Sequence, residues 1–399
     1  MNFSQSSGYL LSDRDPCSYY FYLYMANPQA NIVQHLIERG LITYESAVDG
    51  DLALLSGSSN HKHSRVMRNH SPGFFIKQIQ RWEEAPIMTL QREAACYRLG
   101  HYNEDFASLT PLLPKYYDFD PVRHTLVIEL LSGGESVSEF CLREGANPPG
   151  LGSKLGTVLA DYHKNAGADM KKAGGAAALD KMMPWTLMIH RQPGQTTNFN
   201  DHSKNVLAFI QGNPQLCAAL DALQAGWRTD SFIHGDLKWD NFIIIPQQES
   251  SEYDLKIVDW ELAGFGDACW DVGSVFHSCI IYPIIAMQAV TEQLPANLPG
   301  LMRYCSADGR DALRDFWVAY VVGAQLDQSG AGDCVIRSMQ HCAARMLQTS
   351  FELTEVLKGP VDKYFQDIIV AKSFCLAQVA GDILQNPMAA LGHIFGAQQ

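Results

Sequence analysis

The run His234-Gly235-Asp236-Leu237-Lys238-Trp239-Asp240-Asn241 is followed by an apolar strand Phe242–Ile245, a polar turn, a second apolar strand Leu255–Val258 and then Asp259. This spacing brings Asp236, Asn241 and Asp259 to neighbouring strand ends. Phosphoryl transfer asks little covalent work of a protein. One carboxylate must orient the attacking hydroxyl, and other oxygen ligands must hold the divalent ions that neutralise the phosphates. Asp236 has the type and place for the first role, Asn241 and Asp259 for the second, as Mg2+ ligands. Lys238, two residues past Asp236, can set a cation against the transferring phosphate, although a surface lysine has the same appearance. The chemistry expected is transfer of a phosphoryl group from a magnesium nucleotide to a hydroxyl.

The elements upstream have to position the nucleotide. Leu52–Leu55 reads as a strand running into a small-residue turn, Ser56-Gly57-Ser58-Ser59-Asn60, and a second strand over Ser64–Arg68. Backbone amides and hydroxyls of such a turn can cover phosphates. An ordinary hairpin has the same composition, and the fuller GxGxxG loop is absent. His61 and His63 share a strand face, but no further ligand set joins them and His70, so they read as a hairpin and not as a metal centre. The strand Phe74–Ile79 is apolar apart from Lys77 and Gln78, and an ammonium inside it calls for an anion, which the next helix, Met88–Leu99, supplies as Glu93. Leu113–Phe119 and His124–Leu131 read as two more strands, the second ending before Ser132-Gly133-Gly134. Glu129 to Leu131 read as a strand end, which the order of elements in kinase-like folds would make the place where backbone groups hydrogen-bond an adenine.

Together, the loop at Asp236, the segment Val258-Asp259-Trp260-Glu261 and the run from Gly264 to Asp271 resemble the aminoglycoside phosphotransferase and choline kinase superfamily, which has a protein-kinase-like fold. Compared with eukaryotic protein kinases, Gly235 stands where an Arg precedes the catalytic Asp, and Trp260-Glu261 where Phe-Gly follows the metal-binding Asp. The resemblance implies an α+β, two-lobed architecture with a small β-rich N-lobe over 51–131, preceded by a helical extension over 1–50. A large, mainly helical C-lobe over 132–399 carries the catalytic loop and the acceptor site. It implies ATP or GTP as co-substrate and Mg2+ as cofactor, with Lys77 on the α- and β-phosphates and Glu93 orienting Lys77. The acceptor would be a small molecule such as an aminoglycoside, an amino alcohol or a sugar. His234 and Asp271 also match family positions, and both read as braces of the loop. Glu261 is open to a metal or to a substrate amine.

Bulk properties narrow the partners. The 399 residues carry a net charge of −13, with 47% hydrophobic and 18% charged residues. No basic face for nucleic acid or anionic membranes is expected, and a cationic acceptor is permitted. Ten cysteines without a CxxC or a paired spacing suggest reduced thiols and a cytoplasmic protein. The N-terminus shows no signal-peptide pattern. Val272–Thr291 lacks Asp, Glu, Lys and Arg but contains Ser274, His277, Ser278 and Pro283, which reads as a buried helix and not a bilayer span.

The remaining segments are helical or irregular. Aromatics Tyr19, Tyr20, Phe21, Tyr22 and Tyr24 precede a helix over Pro28–Glu38. After the hinge, helices are expected at Leu151–Lys164, Asp201–Gln211, Pro214–Ala225, Asp311–Gln325, Asp333–Leu357 and Val361–Leu384, with a mobile Gly/Ala-rich connection over Ala166–Ala178. Two other activities fit the same motifs: a kinase modifying Ser or Thr of a peptide during natural-product maturation, and a nucleotide-binding scaffold without catalysis.

Overall fold

The computed structural model describes residues 28–58, 62–172, 179, 183–192, 199–247, 250, 252–289 and 293–396. The chain divides into two compact units, 1–81 with 117–132 and 82–116 with 133–399. The aromatic cluster at Tyr19–Tyr24 lies outside the described residues, as do Ser59, Asn60 and His61.

The first unit carries α1 (Pro28–Glu38), α2 (Tyr44–Val48), β1 (Leu52–Ser58), β2 (Lys62–Arg68) and β3 (Phe74–Gln78). Its sheet is completed by β4 (Tyr116–Asp120) and β5 (Thr125–Glu129), in the order β1-β2-β3-β5-β4. Alternation along β3 buries Phe74 and Ile76 with Val66, Val127, Ile32 and Leu36 in one core. Lys77 therefore faces the other side of the sheet, half-buried, in register with His63 on β2 and Leu126 on β5. His63 stacks on Phe75 of that face at 5.7 Å. One expectation needs correcting here. Ser56, Gly57 and Ser58 do not turn but continue β1, in register with Ser64, His63 and Lys62. The ladder is satisfied by main-chain groups whatever the side chains, so small polar residues extend the strand.

In the second unit, α3 (Glu84–Tyr102) buries Leu90, Glu93, Ala94, Tyr97 and Gly100, the stripe that a 3.6-residue period puts on one face. Leu113–Phe119, read as a strand, is strand only from Tyr116. A 3-10 segment, Glu104–Leu112, precedes it, and Pro114 has no N–H to donate to a ladder. The chain continues through β6 (Glu135–Ser136), α4 (Val137–Glu144), α5 (Leu151–Asn165) and α6 (Ala168–Lys172). α4 opens on a reciprocal cap in which Ser136 N–H donates to Glu139 at 2.8 Å and Glu139 N–H donates to Ser136 Oγ at 3.2 Å. α6 occupies part of the connection expected to be irregular, and 173–178 lie outside the described residues.

Helices α7 (Asp201–Gln211) and α8 (Pro214–Ala225) lead to β7 (Ser231–Ile233), β8 (Phe242–Pro246), β9 (Tyr253–Ile257) and β10 (Gly264–Gly266). There follow α9 (Ala268–Ala286), α10 (Leu298–Met302), α11 (Ala307–Gly323), α12 (Gln328–Glu355), α13 (Lys363–Gln385) and α14 (Pro387–Phe395). α9 is long and apolar enough to cross a membrane by composition, yet 72% of that stretch is buried among its neighbours. It packs on α12 so closely that a Cβ on Gly273 would stand 2.5 Å from the Ser338 carbonyl oxygen. The nine described cysteines are free, and the Cys269 thiol on α9 lies 3.6 Å from that of Cys334 on α12.

Candidate active site

The loop between β7 and β8 is fixed by a single buried carboxylate. Asp271, in the first turn of α9, accepts the main-chain N–H of His234 at 2.7 Å and of Gly235 at 3.0 Å, and the Tyr162 hydroxyl at 2.6 Å. His163 Nε2 lies 3.3 Å away, with its other ring nitrogen on Tyr320. Burial alone would raise the carboxyl's pKa, but His163, His234 and Tyr162 outweigh it and hold Asp271 below the usual range. His234 is fully buried and its pKa is lowered, chiefly by desolvation. Its Nε2–H donates to Val258 O at 2.9 Å while Nδ1 accepts Asp236 N–H at 3.2 Å, a pattern that requires the neutral ring. Gly235 has φ +84°, and a Cβ there would lie 2.5 Å from Leu262 O. Trp270 Nε1–H closes the loop on Gly235 O at 2.8 Å.

The brace leaves the Asp236 side chain to two cations. Lys238 Nζ donates to Oδ2 at 2.9 Å, and Arg345 Nη2 lies 3.0 Å from Oδ1. Arg345 comes from α12, more than a hundred residues along the chain. It is almost fully buried, with its guanidinium 5.7 Å from the Trp270 ring centre. Burial depresses the Lys238 pKa, but Asp236, Asp259 and Glu352 together carry it above its ordinary value. Carboxylates from the loop, from the end of β9 and from α12 thus share one ammonium's field.

Asn241 and Asp259 are brought together by the β8–β9 register. Phe242 pairs with Ile257, and Val258 N–H donates to Asn241 O at 3.0 Å. Asn241 Nδ2 donates to Asp236 O at 2.8 Å, so the amide oxygen is the branch left for a ligand. Asp259 holds φ +70°, a left-handed conformation that Asp tolerates better than most residues and that marks functional turns. Two hard oxygen donors at adjacent strand ends fit a magnesium ion.

The other residues singled out in the sequence fall in both units. Glu93 is fully buried on α3, and its charge, with that of Asp259, adds to burial in raising the Tyr97 phenol's pKa. Lys77, Ser56, Gly57, Ser58, Glu129 and Leu131 belong to the first unit. Glu129 ends β5 opposite Phe74, and Leu130 N–H donates to Gly73 O at 3.0 Å.

Sequence reasoning missed Arg345, Glu352 and Lys372. Each sits in a helix recognised as such, and the available signal was a charged residue inside an apolar run, as in Cys342-Ala343-Ala344-Arg345-Met346-Leu347. All three line a cavity of about 800 Å³ within the second unit, together with Lys238.

The same fold occurs in a Plasmodium vivax ethanolamine kinase at 12% identity, covering 91% of this chain and 94% of that one, with a TM-score of 0.52. It also occurs in the GDP and kanamycin complex of APH(2")-IIia at 12% identity, covering 86% and 96%, again with a TM-score of 0.52. A choline/ethanolamine kinase family protein from Mesorhizobium loti aligns at 16% identity over 90% and 98%, with a TM-score of 0.47. No curated protein matches the sequence. The fold is thus the two-lobed protein-kinase-like one of the aminoglycoside phosphotransferase and choline kinase superfamily. The phosphotransferase enzyme family, APH, matches residues 88–316, more than half of the 399 positions, and the chain belongs to that family.

Proposed function

We propose that the protein transfers the γ-phosphoryl group of ATP or GTP to a hydroxyl of a small molecule. The observation that carries this reading is the Asp236 carboxylate, fixed between Lys238 and Arg345, both of which line the large cavity. A carboxylate oxygen carries more than one lone pair, so Asp236 can hold an acceptor hydroxyl while keeping both cations. The hydroxyl oxygen forms a bond to the γ-phosphorus as the bridging P–O bond breaks. The nucleoside diphosphate leaves with that electron pair, and the hydroxyl proton passes to Asp236 and on to solvent. Lys238 faces the transferring phosphate and offsets its charge. A magnesium ion on Asn241 and Asp259 would supply charge neutralisation to the phosphate oxygens. Lys77 is assigned to the α- and β-phosphates and Glu93 to orienting it, on their place in the family order. Ser56 to Asn60 and Glu129 to Leu131 are assigned to the phosphates and the base.

The test is mass spectrometry of candidate alcohols incubated with the protein, ATP and Mg2+. A mass gain of one phosphate that EDTA abolishes is the expected result. Nucleotide binding without any phosphate transfer across aminoglycosides, amino alcohols, sugars, hydroxy acids and peptides would count against the reading.

A further inference from the structure

We infer that the acceptor is an amphipathic anion: an alcohol with an aliphatic body and a carboxylate, not a polyamine. The inference rests on the phosphotransferase reading and concerns the cavity of that same site. Its walls are aliphatic and aromatic, with Ile281 and Ile285 from α9, Leu353 from α12, and Phe365, Ile368 and Ile369 from α13. A ligand filling about 800 Å³ between such walls gains most from apolar surface.

The polar groups of the cavity are unevenly used. Arg345 has one contact to Asp236, while its Nε and Nη1 are buried without a hydrogen-bond partner among the described residues. Lys372 is 4% exposed, and its ammonium donates to Ile285 O at 2.9 Å and Met287 O at 2.6 Å. No carboxylate pairs with it among the described residues, so a buried positive charge and a third N–H stand uncompensated. His277, on the same wall, donates or accepts at Nε2 to Thr349 while Nδ1 has no partner. The anions of the lining, Asp240 and Glu352, and the neighbouring Asp236 are in the opposite condition. Asp236 is held by two cations, Asp240 accepts the Ser138 hydroxyl, and Glu352 accepts Gln348 Nε2 at 2.8 Å. A polycation entering here would stand beside Arg345 and Lys372 and find its counter-charges already engaged. A carboxylate finds spare donors on two buried cations, and charge-assisted bonds are the strong kind.

The reaction keeps the balance given above. The acceptor's hydroxyl oxygen takes the γ-phosphoryl group, the nucleoside diphosphate leaves, and the carboxylate is a spectator that sets the pose.

The experiment compares four probes with the full chain, labelled ATP and Mg2+: β-hydroxydecanoate, its methyl ester, choline and kanamycin. The ester keeps the hydroxyl and the chain and removes only the charge. The expected result is a kcat/KM for the acid about tenfold to a hundredfold above that of the ester and above both cations. Lys372→Met should shrink the acid-to-ester ratio, chiefly through KM, while leaving ATP affinity unchanged. Equal turnover of acid and ester, or preference for choline or kanamycin, overturns the inference while leaving the phosphotransferase standing. Turnover of none of the four, with ATP still bound in the presence of Mg2+, also overturns it. Absence of Mg2+-dependent ATP binding would instead remove the reading beneath it.

Discussion

The loop from His234 to Asn241 and the cavity lined by Lys238, Arg345 and Lys372 treat polar groups in opposite ways. In the loop, three consecutive main-chain N–H groups, from His234 to Asp236, have protein acceptors, and a buried Asp271 collects two of them. In the cavity, among the described residues, Arg345 and His277 bury nitrogens without partners, and Lys372 lacks a carboxylate. The loop is preorganised by the chain itself, which is what a site that must align a nucleophile requires. The cavity keeps hydrogen-bonding capacity in reserve, and an unmet buried donor is costly enough that a ligand able to meet it is strongly favoured.

That contrast can be broken by substitution. The largest effect is expected at the loop's one functional carboxylate. Asp236→Asn should lower kcat by about a hundredfold to ten-thousandfold with ATP affinity retained, as steady-state kinetics and calorimetric titration would report. An unchanged kcat would remove Asp236 from the chemistry. Next comes the brace. Asp271→Ala strands two main-chain donors and the Tyr162 hydroxyl, and should cost about 3–5 kcal/mol in urea unfolding. A loss under about 1 kcal/mol would mean that the loop is held by other means.

A smaller effect follows from the histidines. Burial lowers the pKa of His234 and, further, that of His277 from the ordinary 6.5, so both are neutral in the folded chain near neutral pH. Below 6.5 the unfolded chain binds protons that these rings refuse, so stability falls as pH falls, by up to about 1.4 kcal/mol per pH unit for each. Melting temperatures at about pH 7.5 and about pH 5.5 should therefore differ, the acid sample melting lower. A flat profile contradicts the burial argument. The smallest effect sharpens the contrast most. Lys372→Met replaces a buried cation with an apolar side chain of similar length and should leave stability within about 1 kcal/mol of the parent, or raise it. A large destabilisation would show that Lys372 serves the fold and not the ligand.

The same division explains what the sequence disclosed. His234 to Asp259 is one contiguous stretch, so strand periodicity and spacing were enough to bring Asn241 and Asp259 to adjacent strand ends, with Asp236 in the loop beside Asn241. The helices α1, α7 and α8 were legible to the residue, since Gly40 stops the first, Asn200 and Asn213 cap the others, and Pro214 opens α8. α4 went unseen because two turns of mixed polarity carry little periodicity, and its signal was the pair Ser136 and Glu139. α14, after Pro387, was also missed. The strand extension through Ser56-Gly57-Ser58 ran against composition, because cross-strand pairing from β2 decides it. Arg345, Glu352 and Lys372 converge from α12 and α13, and nothing local in either helix announces a shared cavity. A long-range site is written in tertiary packing, which single-sequence periodicity does not encode.

Helix α9 has one more consequence. Asp271 in its first turn holds the loop, and ten residues on, roughly 15 Å along the axis, Ile281 forms the cavity wall. The two ends share one rod, wedged against α12 at Gly273 with no room for a methyl group. Remodelling the cavity for a bulkier ligand by tilting α9 would drag the His234–Asn241 loop with it. An engineer would therefore leave that axis alone and start from side chains on α13, such as Phe365, which line the same cavity without joining the loop.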